Sequence, residues 1–544
     1  MTSAESAVAS PSDHSASPTE TQRPVSAAAT KPSIFATADH KSTGRLLFGA
    51  SLLFLLGGLA VGAVLRAELA DGGYQILEAN NDGQLFSAHA TTMVYLFLLP
   101  AMLAAARFVV PLQLGARTSA LPRVGAASAW GVIGGGLLVL VSYVVDGGPI
   151  AGLALISGDS LASVSSAGLA SELWILGLAL VVVSLIAGWI DVVVTVAYMR
   201  AAGLRVTRIP AFSFAAMVGG SVAVLGLPAL LAGLLLLWIQ LHHGATLFGA
   251  PGFDKAWRST LWLYGQPALF VPLIVGAGAL TDVVVRAAKR RPTAWTLQLS
   301  LIGVAGVGAF SAWLTDSGDS AANIFLPASS WATVAVYAPL AMLGLLWMAT
   351  LAAGRAKPTA GLFGVVGAEL VLLAAAVVGV VGAATDVSAG SQYTSAFLHL
   401  AVFAAPLVAV VVIGIHWAPK LAGVAWSAAS ATGVIGLVVL GSLISFAPGA
   451  AINEAPRLVG DNPDDTGLHV VMLVGSAILA LGLLAFVVRT IATMLRVRSA
   501  PVSADGGESG VTLEWLAATP PAPENFDVLP LATSEVPLLE EVSR

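Results

Sequence analysis

Residues 89–102 read HATTMVYLFLLPAM and place a histidine at the head of a long apolar run. Runs of this kind, long enough to cross roughly 30 Å of hydrocarbon, recur through most of the 544-residue chain. The chain is 57% hydrophobic and only 10% charged, which is far from the composition of soluble domains. The sequence therefore predicts an all-α integral membrane protein, in which every polar group inside the bilayer needs a partner or a function.

Twelve apolar segments are predicted to span the membrane, at about 45–66, 86–113, 124–145, 172–198, 211–241, 259–285, 296–314, 331–353, 359–384, 392–416, 421–446 and 468–494. An even number of spans puts both ends of the chain on one side. Arginine and lysine are concentrated in the terminal segments and in the even-numbered loops, which assigns those segments to the cytoplasm. We expect a multi-pass, twelve-transmembrane-helix bundle in a bacterial-type plasma membrane, with both termini cytoplasmic.

Composition divides the chain into three parts. Residues 39–498 form the predicted transmembrane domain, while residues 1–38 are rich in Ser, Thr, Ala and Pro and are predicted to be a disordered cytoplasmic tail. Residues 499–544 are Pro-rich and acidic, and we predict a second disordered tail there. The chain has no cysteine, so any metal must be held by histidine or oxygen ligands.

Two of the eight histidines, His89 and His399, lie in apolar runs that both enter from the outer side, at similar predicted depth. Two imidazoles from different helices are what a six-coordinate, low-spin haem iron requires. Alternatively, each histidine bonds a polar group of a neighbouring helix. Arg457, in an outer loop, is either a partner for haem propionates or a solvated arginine.

The other polar residues of the apolar runs have less specific interpretations. His242 and His243 end the fifth run and are predicted to be interfacial. Asp191, Asp282 and Glu369 belong either to a proton path or a transporter site, or to hydrogen bonds between neighbouring helices.

Several stretches, in order, resemble haem–copper oxidase subunit I, the family of cytochrome c oxidase. They are TADHKSTGRLLFGASLLFLLGGLAVGAVLRAEL (37–69), HATTMVYLFLLPAM (89–102), PLQLGARTSALPR (111–123), WMATL (347–351), HWAPKLAG (416–423) and APRLVGDNPD (455–464). The resemblance covers about 40–490 and implies a bundle of the cytochrome c oxidase subunit I type. It also implies that His89 and His399 ligate the iron of a low-spin haem, with Arg457 as a propionate partner and His416 as a structural residue.

The sequence departs from the family at its oxygen-reducing centre. The copper-ligand motif HPEVY reads QPALF (266–270), so that Gln266 replaces a ligand and Phe270 the tyrosine. The positions of the other two copper ligands are Leu314 and Thr315, and that of the high-spin haem ligand is Phe397. Leucine and phenylalanine cannot bind a metal, and an amide is a poor ligand for copper. We therefore expect one low-spin haem of undetermined type, no active-site copper and no catalytic residues.

These departures lead to one main hypothesis and three alternatives. The main hypothesis is single-electron transfer within a respiratory-type complex, between an external electron carrier and other oxidase-like membrane subunits, with no role for nucleic acid. The alternatives are a haem-free structural or assembly subunit, a true terminal oxidase with unorthodox ligands, and a transporter. The transporter is disfavoured because no internal repeat is evident.

Overall fold

The computed structural model describes residues 37–71, 79–145, 168–243, 266–310, 331–354, 356–384, 391–452, 466–496, 510–526 and 528–541. In these residues the regular structure is helical. The main helices are α1 (His40–Asp71), α2 (Ala79–Gln113), α3 (Pro122–Ser142), α4 (Leu169–Tyr198), α5 (Ala211–His243), α6 (Val271–Ala288), α7 (Trp295–Gly308), α8 (Trp331–Ala353), α9 (Ala360–Ala384), α10 (Gln392–His416), α11 (Ala428–Phe446) and α12 (Thr466–Leu495).

Eleven helices of the described residues are long and apolar enough to span a membrane, which confirms the prediction of a multi-pass all-α bundle. The exception is α7, which has 14 residues. It begins where the seventh span was predicted, but residues 311–314 at the end of that predicted span lie outside the described residues.

Burial separates central helices from peripheral ones. In α2 and α6, 94% of the spanning window is buried inside the protein, against 39% in α1, α3, α8 and α12. In α10 the buried share is 78%. Since α2 and α10 carry His89 and His399, both histidines are placed on helices that run through the protein interior.

Two π-helical segments interrupt the central helices, at Thr92–Leu98 in α2 and at His399–Ala404 in α10. Each is followed by a proline, Pro100 or Pro406. A proline ring inside a helix has no N–H to donate and clashes with the carbonyl four residues earlier. In both helices that carbonyl lies within the π segment, where the wider turn can accommodate the ring. The two prolines therefore place a wide turn immediately beside each histidine.

The described part of the C-terminal segment packs against the bundle, so the prediction of a disordered tail over 499–544 is wrong for these residues. Glu514 accepts hydrogen bonds from Gln113 at 3.2 Å and from Trp417 at 3.3 Å. The Arg286 guanidinium lies 4.2 Å from the centre of the Trp515 ring. Composition could not predict this docking, because the partners of the segment come from helices distant in sequence.

Lysine and asparagine side chains complete that docking. Lys420 donates to the Ala517 carbonyl at 2.6 Å and to the Thr519 hydroxyl at 2.9 Å. Burial lowers the pKa of Lys420 to about 8, with Glu514 opposing the shift. Asn525 accepts from Lys41 at 2.7 Å, at the first turn of α1.

Candidate functional site

His89 lies on α2, one helical turn before the π segment begins, and its ring packs against α1. Its Nδ1 donates a hydrogen bond to the carbonyl of Gly58 at 2.9 Å. One turn further along α1, Gly62 faces the ring so closely that a Cβ there would lie 2.7 Å from the imidazole Cε1. Because a carbonyl oxygen can only accept, the bond fixes Nδ1 as the protonated nitrogen and leaves Nε2 with a free lone pair.

His399 is the first residue of the π segment in α10 and has an equivalent arrangement. Its Nδ1 donates to the carbonyl of Ser395 at 2.7 Å. The imidazole also stacks on Phe446 of α11, with ring centres 4.7 Å apart and an angle of 24° between the planes. The hydrogen bond and the stack together fix the orientation of the ring, again with Nε2 as the unprotonated nitrogen.

His89 and His399, on different helices, lie within range of an electrostatic interaction with one another. The guanidinium of Arg66, near the end of α1, interacts with both rings. Among the described residues no hydrogen bond involves Nε2 of either histidine. The sequence analysis did not identify Arg66 as a neighbour of these rings.

This donor set fits a haem iron. Histidine ligands to metals usually donate the other ring nitrogen to a carbonyl or carboxylate, which fixes the ring and increases its basicity. Both His89 and His399 are held in this way by backbone carbonyls. The third predicted cofactor residue, Arg457, lies outside the described residues, so its role stays a prediction.

Phe270 and Phe397, two positions that the resemblance assigns to the family's oxygen-reducing centre, form an aromatic cluster with Tyr337. The edge of Tyr337 meets Phe270 at 6.3 Å and Phe397 at 6.4 Å between ring centres. Phe270 and Phe397 are both buried. Neither carries an atom that binds a metal, so these positions do not fit a copper ion or a second haem ligand.

Three further positions were predicted to belong to the degenerate oxygen-reducing centre. Gln266 begins the short 3₁₀ turn Gln266–Phe270 that precedes α6. Leu314 and Thr315 lie outside the described residues. Within the described ranges, no three His, Asp or Glu side chains are grouped closely enough to hold a metal ion.

The paired histidines at the end of α5 form an exposed cluster separate from this site. His242 lies 3.4 Å from the Glu172 carboxylate and donates to the Trp238 carbonyl at 2.9 Å. Its ring and that of His243 both pack on Trp238. These contacts agree with the predicted interfacial role.

Of the three carboxylates singled out in the sequence, Asp191 and Asp282 have strong partners. Asp191 forms an ion pair with Arg107 at 2.7 Å, and the side chains of both residues are fully buried. Asp282 accepts from Gln113 at 2.8 Å and from the backbone amide of Ala211 at 3.0 Å. Both arrangements join helices to one another and favour the structural interpretation of these acids.

The fold defines a multi-pass, all-α membrane protein, and comparison with known proteins specifies its family. The family model described as "Cytochrome C and Quinol oxidase polypeptide I" matches residues 42–453. The chain therefore belongs to the family of haem–copper oxidase subunit I.

Several curated relatives match over nearly the whole chain. A putative cytochrome c oxidase subunit 1-beta of Streptomyces avermitilis is 28% identical over 93% of this chain and 91% of its own. Cytochrome c oxidase subunit 1 of Thermostichus vulcanus is 27% identical over 91% and 90%. Quinol oxidase subunit 1 of Bacillus subtilis is 26% identical over 92% and 78%. These relatives support membership of the family. The activities in their names describe those relatives.

A solved structure confirms the fold. A chain from a cryo-EM structure of a heme-copper terminal oxidase dimer matches with a TM-score of 0.68 at 15% identity, covering 93% of this chain and 89% of that one. At this identity the likeness concerns the fold alone.

Proposed function

We propose that this protein binds one low-spin haem between His89 and His399 and passes single electrons within an oxidase-like membrane complex. The observation that carries the proposal is the pair of imidazoles whose Nδ1 atoms are both held by backbone carbonyls. Each Nε2 is then the only nitrogen of its ring with a lone pair for iron. When bound, the haem supplies a one-electron redox couple.

The protein contributes position and environment. The carbonyls of Gly58 and Ser395 hold the two rings before any ligand binds, which lowers the entropic cost of forming a six-coordinate site. Arg66 places a positive charge beside both rings, and a nearby cation favours the reduced, less positive state of a redox centre. We expect neutral replacement of Arg66 to lower the reduction potential.

We also propose that this chain does not reduce oxygen, and the aromatic cluster supports this. Phe270 and Phe397 leave no ligand for a five-coordinate haem or for copper at their positions. An iron with imidazoles on both faces has no open position for O₂ or carbon monoxide. Electron transfer between an external carrier and partner subunits is the chemistry that remains available.

The proposed setting is a bacterial plasma membrane with both termini in the cytoplasm, as the distribution of basic residues favours. Proteins of this family work in multisubunit membrane complexes. We infer that other oxidase-like subunits surround this chain.

The test is an optical spectrum, reduced minus oxidised, with metal analysis of the same purified complex. We expect about one haem per chain, sharp bands of a six-coordinate iron, and no change on adding carbon monoxide. H89A and H399A should each abolish haem binding. H242A is the matched control, since His242 is exposed on α5, and it should retain the wild-type haem content.

Two results would contradict the proposal in different ways. A colourless complex, or haem retained in both H89A and H399A, would favour the haem-free scaffold. Copper in the preparation together with oxygen uptake by the isolated chain would favour an oxidase with unorthodox ligands.

A further inference from the structure

Glu369 is a further carboxylate within a spanning segment, and its surroundings differ from those of Asp191 and Asp282. It lies nine residues after the start of α9 at Ala360, which places it roughly 14 Å along the helix at 1.5 Å per residue. The residue is within the spanning segment Ala360–Gly382. A carboxyl group at this depth is costly unless it is neutral, paired or functional.

The Glu369 side chain reaches across to α8 at a glycine. A Cβ added to Gly344 would lie 2.8 Å from one carboxyl oxygen of Glu369 and 2.9 Å from the other. Both oxygens therefore rest against bare helix backbone. In the described part of the chain, Glu369 forms neither a hydrogen bond nor an ion pair. Asp191, by contrast, pairs with an arginine, and Asp282 accepts hydrogen bonds from amide groups.

A cavity adjoins this carboxyl group. It lies between α6, α8, α9 and α10, and the space open to the centre of a water molecule is about 20 Å³. Its lining includes Leu343, Trp347 and Pro406, and among the described lining residues Glu369 is the one ionisable group. The Trp347 N–H is directed to the Thr281 hydroxyl at 3.0 Å. By volume the space is large enough for one water molecule, for which about 10–15 Å³ is needed, and the two carboxyl oxygens of Glu369 are the polar atoms that could bind it.

The carboxyl group also lies near the exposed surface of the bundle. Leu370, the next residue, and Leu373, one turn further, are 47% and 61% exposed on α9. On α8, Leu345 beside Gly344 is 70% exposed. The side chain of Glu369 itself is partly exposed. The groove between α8 and α9 therefore gives an apolar molecule in the bilayer access to this group.

We propose that Glu369 is a proton-binding site within the membrane, which holds the neutral carboxylic acid beside one water molecule and is accessible from the lipid between α8 and α9. The neutral acid is the form this site accommodates, because an ionised carboxylate would have no cation and no described donor to stabilise it. The site is separate from the histidine pair and does not depend on haem binding.

A hydrophobic carbodiimide tests both parts of the proposal. A neutral carboxylic acid adds across one C=N bond of the reagent: the carboxyl oxygen bonds to the central carbon and its proton moves to nitrogen. Migration of the acyl group from oxygen to nitrogen then gives a stable acylurea. Neither step needs an oxidant, a reductant or a further reactant. Membranes containing the full-length protein are treated with dicyclohexylcarbodiimide, and peptides are analysed by mass spectrometry.

We expect a single major adduct on the peptide that contains Glu369, and none on that peptide in E369Q. Once pH exceeds the pKa of the site, labelling should fall about tenfold per pH unit, because the neutral fraction falls by that factor. G344A should change the labelling rate, since its methyl group displaces the carboxyl oxygens. G303A is the matched control, because a Cβ at Gly303 meets no atom within 4 Å, and it should behave as wild type.

If wild-type membranes give no Glu369 adduct, the proposal that the lipid gives access to this carboxyl group is wrong. Labelling that does not depend on pH would overturn proton binding. An infrared spectrum gives an independent check, since the carbonyl band of a protonated acid should be present in wild type and lost in E369Q. If the two spectra match in that region, the Glu369 carboxyl group is not protonated and the proposal fails.

Discussion

Replacing Gly62 by alanine should weaken haem binding without touching either histidine. The added Cβ would stand 2.7 Å from Cε1 and 3.0 Å from Nδ1 of His89. Carbon atoms pack at about 3.5 Å or more, so the ring must retreat by roughly 0.8 Å. It can do so only by straining its hydrogen bond to Gly58, which is 2.9 Å long.

The expected loss of haem affinity follows from how little a metal–ligand distance can vary. Bond lengths between a metal and its ligands vary by only about 0.2 Å, which is far less than the required displacement. Loss of a group that orients a ligand typically costs about 10–100-fold in metal affinity. We therefore expect G62A to bind haem about 10–100-fold more weakly, a loss of roughly 1.4–2.8 kcal/mol.

Gly57, also in α1, provides the matched control, since a Cβ there meets no atom within 4 Å. Both substitutions gain about 1 kcal/mol of helix propensity, so the difference between them isolates the contact with the ring. Apoprotein of each variant is titrated with haem and followed by its absorption spectrum. Equal affinities for G62A and G57A would refute the proposed position of His89.

Three further predictions concern stability. Burial raises the pKa of Asp39, but Lys41, 2.8 Å away, outweighs it and lowers the pKa from 3.8 to about 2. Asp39 therefore contributes about 2 kcal/mol to the free energy of unfolding. This contribution is complete above pH 3.8 and is lost as the pH falls through 2. The thermal unfolding temperatures of D39N and wild type should therefore converge in acid. R107M and D191N should each destabilise the bundle by about 3–5 kcal/mol, and the double variant by less than their sum; additive losses in thermal unfolding would argue against the pair. K420M should speed protease cleavage within residues 510–526, and an unchanged rate would show that this lysine does not hold the segment.

The fold was predictable because the hydrocarbon core imposes a simple rule on sequence. Apolar runs of sufficient length mark the spans, and most described helices begin and end close to the predicted limits. The prediction was wrong for the start of α11, which begins at Ala428 rather than near 421, because Ala418–Ala422 forms a separate short helix that ends at Gly423. The wide turns beside His89 and His399 were not predicted. They depend on the prolines at 100 and 406 acting against carbonyls one turn earlier, which hydropathy does not register.

The site was predictable only in part. Matched depth in the predicted topology paired His89 with His399, and their joint ligation of one haem stays a proposal. Arg66 was overlooked because an arginine at the end of a span resembles any interfacial cation. A structural role was one of the two interpretations left open for Asp191, but its partner Arg107 is 84 residues away in sequence, and no local pattern links them.

The docking of the C-terminal segment has a consequence for biogenesis. The His40 side chain at the start of α1 meets Asn525 across 485 positions of sequence. During synthesis the ribosome must add all of those residues before the contact can exist, so α1 enters the bilayer with this polar end still open to water. Closure of that end of the bundle is therefore a late step, and a truncation upstream of Asn525 should yield an inserted protein whose first helix remains loosely anchored.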